Sequence, residues 1–125
     1  MASFTPTEKR TAMSFLDSDL LARIHERAAD ADATNTYPVK DLEELREAGY
    51  LSAFVPTEFG GAGLSLTEIA AEQTALAKAA PGTALGINMH QIIVGLGRYL
   101  VAHGNARGEQ ILRDAVAGEV LGFGI

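Results

Sequence analysis

From Leu16 onward, apolar residues recur at the spacing of a helical turn. Leu16, Leu20, Leu21, Ile24 and Ala28 fall on one face while Asp19, Arg23, Glu26, Arg27 and Asp30 fall elsewhere, which predicts an amphipathic helix ended by Asn35 and Pro38. Val39, Leu42 and Leu45 mark one stripe of a second, shorter helix, with Asp41, Glu43 and Glu44 early and Gly49 as its stop. Residues 51–55 are short and β-prone. Pro56 and the run Glu58-Phe59-Gly60-Gly61-Ala62-Gly63 then forbid a continuing helix and predict a structured loop. Ser65 with Glu68 three residues on reads as a capping box, opening a third helix through Leu66, Ile69, Ala70, Leu76, Ala77 and Ala80 that Pro81-Gly82 closes. Thr83 is placed to cap a fourth helix, apolar on most sides to about Val101 and so expected at the centre, with Gly104-Asn105 ending it. A fifth helix over residues 105–117 turns Ile111, Leu112, Ala115 and Val116 inward.

After Gly118, the run Val120-Leu121-Gly122-Phe123-Gly124-Ile125 reads as a strand. A single strand in a helical chain has nothing to pair with, so the sequence reads as cut at the entry to a β region. The expected fold is all-α, an antiparallel bundle of about five helices with a short terminal β-strand. Residues 1–14 form a flexible arm, 15–118 the helical domain and 119–125 the first strand of a truncated β domain.

Composition narrows the function. At 125 residues the chain is one domain's worth, and 47% apolar with 21% charged residues is the balance of a globular protein. A net charge of -6 without a basic cluster excludes nucleic acid as the default partner. The absence of cysteine excludes disulfides, a thiolate nucleophile and Cys-based metal sites. The opening residues lack the basic head and apolar run of a signal peptide, which makes the cytoplasm the simplest address. The longest apolar stretch, 84–102, is interrupted by Asn88, His90, Gln91 and Arg98, the pattern of a buried soluble helix rather than a membrane span.

His90 is the leading chemical candidate. Gly86, Val94 and Gly97 share its helix face and leave room beside the imidazole, so it either lines a ligand cavity or hydrogen-bonds a neighbouring carbonyl. Gln91 borders the same region, Asn88 projects to the opposite side, and Gln73 on the third helix is placed to satisfy a buried polar neighbour. His25, next to Glu26, and His103, at a helix end, read as surface and dipole-complementing residues. The three histidines lack ligand spacing, so no metal is expected. Gly60-Gly61-Ala62-Gly63 lacks the preceding strand and the lysine of a nucleotide loop and reads as a tight inter-helix turn.

The segments Leu45-Arg46-Glu47-Ala48-Gly49-Tyr50-Leu51, Val55-Pro56-Thr57-Glu58-Phe59-Gly60-Gly61-Ala62-Gly63-Leu64-Ser65 and Leu66-Thr67-Glu68, with the terminal Gly-Glu-Val-Leu-Gly-Phe-Gly-Ile, together resemble the N-terminal helical domain of acyl-CoA dehydrogenases. The loop Pro-x-Glu-Phe-Gly-Gly-x-Gly is the most specific piece, and the likeness runs from about residue 16 to 125. It implies an FAD-dependent oxidoreductase in which this domain forms one wall of the acyl and flavin pocket, for α,β-dehydrogenation of an acyl-CoA thioester. Ile87, Gln91, Ile92 and Gly95 match positions that meet the acyl chain, with His90 beside them, and Phe123 and Ile125 match strand residues that border the flavin. The catalytic glutamate belongs to a later domain, so no catalytic residue is expected here, and the chain alone should be inactive and free of FAD. The resemblance further implies electron-transfer flavoprotein or oxygen as acceptor and a homo-oligomeric parent. The pair Met89-His90 is similar to that of flavin-dependent monooxygenases of the same fold, the first alternative; a free-standing helical interaction domain is the second.

Overall fold

A computed structural model describes residues 14–122. Five α-helices follow in order: α1 (Ser18–Thr34), α2 (Val39–Glu47), α3 (Leu66–Ala79), α4 (Pro81–Ala102) and α5 (Arg107–Val116). The all-α class is as expected. The terminal strand is not. Among the described residues there is no strand, and 120–122 run without a ladder because no second strand lies alongside; the amide of Leu121 is instead taken by a side chain. Residues 123–125 of that expected strand, and residues 1–13 of the arm expected over 1–14, lie outside the described residues.

Local chemistry accounts for the helix ends. The Asp17 carboxylate accepts the amides of Asp19 and Leu20 and starts α1, which ends at Asn35 in the left-handed region at φ 51°. The Ser65–Glu68 capping box forms as read, with Glu68 accepting the Ser65 amide at 2.8 Å and Ser65 accepting that of Glu68 at 3.1 Å. Two expectations change. Pro81 does not merely close α3 but is the first residue of α4, where a missing N–H costs nothing, and Thr83 lies inside that turn, donating to Asp41 at 2.6 Å instead of capping. The β-prone stretch at 51–55 is built of a 3-10 turn, Tyr50–Ser52, and further turns, since its carbonyls are used by the loop that follows rather than by a strand.

That loop folds back on its own start. The amides of Ala62, Gly63 and Leu64 donate to the carbonyls of Ser52, Val55 and Ala53, and a Cβ on Gly61 would lie 2.2 Å from the Val55 oxygen, so only glycine fits. Because these amides are spent internally, the glycine run is a tight turn and not a phosphate cradle.

α4 is the hub, packed on α3 and α5 with α1 across it. Leu21, Ile24, Leu45, Tyr50, Val55, Leu76, Val94 and Leu112 are fully buried around it. At the α4–α5 crossing two backbones touch: a Cβ on Gly108 would lie 2.4 Å from the Gly97 oxygen. Polar ties fix the periphery. Arg27 bridges Asp41 and Glu44, Arg23 meets Glu44 at 2.9 Å, and the buried Glu72 carboxylate accepts the Leu16 amide at 2.7 Å. Burial works against the charge on Arg27, but its hydrogen bonds to Asp41 and Glu44 outweigh that and hold the guanidinium above its ordinary range.

Candidate functional site

Along α4, Leu85, Met89, Ile92, Leu96 and Tyr99 recur at alternating four- and three-residue steps, which puts them in one line on a helix surface. All five are exposed, from 40% at Met89 to 77% at Leu85. Beside them stand Asn88 and Ala102, also exposed, and the half-buried Gly95, so the outer face of α4 carries no carboxylate. Arg98 at its margin is turned back, donating through Nη1 to the carbonyls of Phe54 and Leu64 with its guanidinium 4.5 Å from the Phe54 ring centroid. One cation thus clips both ends of the glycine loop to α4 and leaves the outer face uncharged.

The five α4 residues expected at the ligand do not share one face. Ile92, 51% exposed, lies in the apolar line. Gly95 borders it, half-buried, and a Cβ there would approach Phe54 Cε2 to 3.2 Å. Gln91 is buried on the next stripe inward, where its Nε2 donates to the Tyr50 carbonyl at 3.2 Å while its Oε1 has no partner. Ile87 is buried too and faces the start of α2, at a small depression shared with Tyr37, Pro38, Leu42, Leu45, Thr83 and Gly86. Its volume of about 10 Å³ holds no more than one water, far below a ligand pocket, and none of the five residues of the apolar line borders it.

His90 lies roughly 160° around the helix from Ile92 and has no exposed surface. Its Nε2 is 2.6 Å from the Leu51 carbonyl oxygen, and its Nδ1 is 3.1 Å from the Leu121 amide nitrogen. A carbonyl can only accept, so Nε2 carries the proton and Nδ1 accepts from Leu121. Burial pushes the imidazole below its ordinary value, against a raising contribution from the Leu51 carbonyl. Of the other histidines, His25 bonds the Ala79 carbonyl and His103 stacks on Tyr99 and bonds its carbonyl. Gln73 spans Tyr50 and α4, accepting from the Tyr50 hydroxyl at 2.6 Å and donating to the Ala84 carbonyl at 2.8 Å.

Phe123 and Ile125, matched to the flavin border, lie outside the described residues. Among the described residues no group of three His, Asp or Glu is placed to hold a metal, and no helix is long and apolar enough to cross a membrane. Sequence reasoning missed the apolar line and the Arg98 clip. The line was detectable from its four–three spacing, whereas the clip ends on backbone carbonyls that no side chain marks.

The family model for the N-terminal domain of acyl-CoA dehydrogenases matches residues 9–119. L-evernosamine nitrososynthase from a Micromonospora species is 37% identical over 124 residues, 94% of this chain and 29% of that protein. Cyclohex-1-ene-1-carbonyl-CoA dehydrogenase from Syntrophus aciditrophicus is 30% identical over 78 residues, 62% of this chain and 19% of that protein. The solved structure of KijD3 in complex with dTDP superposes with a TM-score of 0.75 at 34% identity, covering 93% of this chain and 32% of that one. The chain therefore spans less than a third of the relatives it matches.

Proposed function

Because this chain belongs to the acyl-CoA dehydrogenase family by its N-terminal domain, we propose that it forms one wall of the substrate pocket of an FAD-dependent oxidoreductase. The observation that carries the reading is the uncharged outer face of α4, with five large apolar side chains exposed in line. A lone soluble domain gains nothing from such a face, whereas a pocket wall needs it to exclude water and to meet an apolar ring or chain. Ile92 and Gly95 are the expected substrate residues that stand on or beside this face; Ile87, His90 and Gln91 support it from behind.

The face fits an apolar ligand surface and not the FAD pyrophosphate, for which it offers no free cation; Arg98 is engaged with Phe54 and Leu64. Flavin, held mainly by other parts of such an enzyme, supplies hydride acceptance or oxygen activation. This wall orients the substrate and keeps the site dry.

Two substrate classes follow from the relatives. An acyl-CoA thioester undergoing α,β-dehydrogenation is the family reading, with electron-transfer flavoprotein or oxygen as acceptor. Oxidation of an amine-bearing sugar by a flavin monooxygenase is the second, and it is favoured by coverage, since the nitrososynthase matches 94% of the chain. Grafting residues 14–122 in place of the matching segment of that nitrososynthase tests both. A graft that oxidises the amino sugar but not acyl-CoA selects the second reading, and the converse selects the first. In either, Ile92→Asp should raise KM at least tenfold while flavin absorbance is retained; an unchanged KM would remove α4 from the pocket wall.

A further inference from the structure

We propose that His90 is a positioning residue that fixes where the chain leaves the helical domain, and that a proton on its Nδ1 unlocks the exit segment 119–122. This goes beyond the pocket wall and removes His90 from substrate contact: the ring has no exposed surface and points away from the uncharged face of α4.

Three separated parts of the chain meet at this imidazole. Leu51, in the 3-10 turn 39 residues earlier, accepts from Nε2, and Leu121, 31 residues later, donates to Nδ1. Only the neutral ring protonated at Nε2 satisfies both, because one partner is a pure acceptor and the other a pure donor. A second proton would set an N–H of the ring against the N–H of Leu121. The Leu51 bond would survive and the Leu121 bond could not.

What surrounds the ring makes the release local. Arg46 of α2 donates to the Gly118 carbonyl at 3.0 Å, and the Glu119 amide donates to the Asp114 carbonyl of α5 at 3.1 Å, so the chain stays tethered on the near side of Leu121. Charged groups on the packed elements include Arg46 and Glu47 on α2, Glu68 and Glu72 on α3, Arg98 on α4, Arg113 and Asp114 on α5 and Glu119 on the exit segment. None of them hydrogen-bonds the imidazole. Burial and the Leu51 carbonyl are what govern its protonation. On the pocket-wall reading, the segment so aimed leads to Phe123 and Ile125, the pair matched to the flavin border.

Imidazole and amide NMR on the 125-residue chain tests this with neither flavin nor substrate, so its outcome is independent of the pocket-wall reading. The expected spectrum shows the neutral His90 ring in the Nε2–H tautomer and its protonation displaced below the ordinary imidazole range. On further acidification, the hydrogen-exchange protection of the Leu121 amide should fall at least tenfold in step with His90 protonation, while amides within α4 keep theirs. His90→Gln, which retains one donor and one acceptor, should preserve protection at Leu121 and abolish its pH dependence; His90→Phe should remove protection at every pH. An Nδ1–H tautomer, or Leu121 protection indifferent to the state of His90, overturns the proposal. The wild-type titration decides alone if either variant fails to fold.

Discussion

Replacing Gly108 with alanine should part α4 from α5. The added Cβ would lie 2.4 Å from the Gly97 carbonyl oxygen, 2.9 Å from Leu100 Cβ and 3.0 Å from Val101 Cγ2. Even a close ordinary carbon–oxygen contact is about 3.3 Å, so the helices must separate by roughly 1 Å. Because the nearest atom is backbone, no rotamer change relieves the contact. Overpacking of this kind costs about 1–3 kcal/mol, and the rigid partner places Gly108→Ala near the upper end. Alanine returns under 1 kcal/mol of helix propensity at this near-terminal position. A net loss of about 2 kcal/mol remains, which lowers Tm by roughly 8 °C in a domain of this size. Gly97→Ala should cost less, since its Cβ meets the Ile111 side chain first, at 2.9 Å. Gly86→Ala, on the same helix with nothing within 4 Å, should stabilise by up to about 1 kcal/mol. Urea and thermal unfolding of the three variants give the ranking. Gly108→Ala as stable as the parent, or Gly86→Ala as damaging as Gly108→Ala, would refute the backbone-contact reasoning.

Two further predictions rest on other groups. Gln73→Leu removes both of that side chain's hydrogen bonds, to the Tyr50 hydroxyl and the Ala84 carbonyl, and should cost about 2 kcal/mol, whereas Gln91→Leu removes one bond, to the Tyr50 carbonyl, together with an unpartnered Oε1 and should cost under about 1 kcal/mol by urea midpoint. In pH, the unfolded chain takes up a proton at His90 near 6.5 that the folded chain refuses, so stability is full above that value and declines as pH falls through it; Glu44, held low by Arg23 and Arg27 against the opposing effect of burial, adds a second loss beginning below about 4.5. Urea midpoints at about pH 7.5, 5.5 and 4 should show both declines, and His90→Gln should erase the first alone.

Features whose partners lie within a turn were legible in the sequence, and features closed from a distance were not. The Ser65–Glu68 box needs only four residues and formed as read. Thr83 looked like a cap because caps are local, but its partner, Asp41, stands 42 residues earlier. Residues 51–55 carry a β-prone composition, yet their carbonyls close the glycine loop, which only the folded chain reveals. Near the candidate site, Gln91 was singled out by its polarity, while Ile92 and Gly95 came only through the family resemblance. The exposed face itself went unread because α4 is apolar nearly all round, and its outer line stands out only when the inner one is covered. His90 was singled out for the space beside it; its partners are both main chain, which carries no sequence signal.

The packing around α4 also sets an order of assembly. α4 packs mainly on α3 and α5, its neighbours along the chain, so those contacts close short loops and form fast. α1 is different. It depends for its burial on α3 and α4, and the Leu16–Glu72 bond spans 56 residues. A ribosome releases α1 before α3 and α4, so the leading helix must wait, tied to α2 by its Arg23 and Arg27 bridges, until those later helices have condensed. Nucleation in the later half is the expected outcome: substitutions at the α4–α5 crossing should slow folding where those in α1 chiefly speed unfolding, a difference stopped-flow refolding would read.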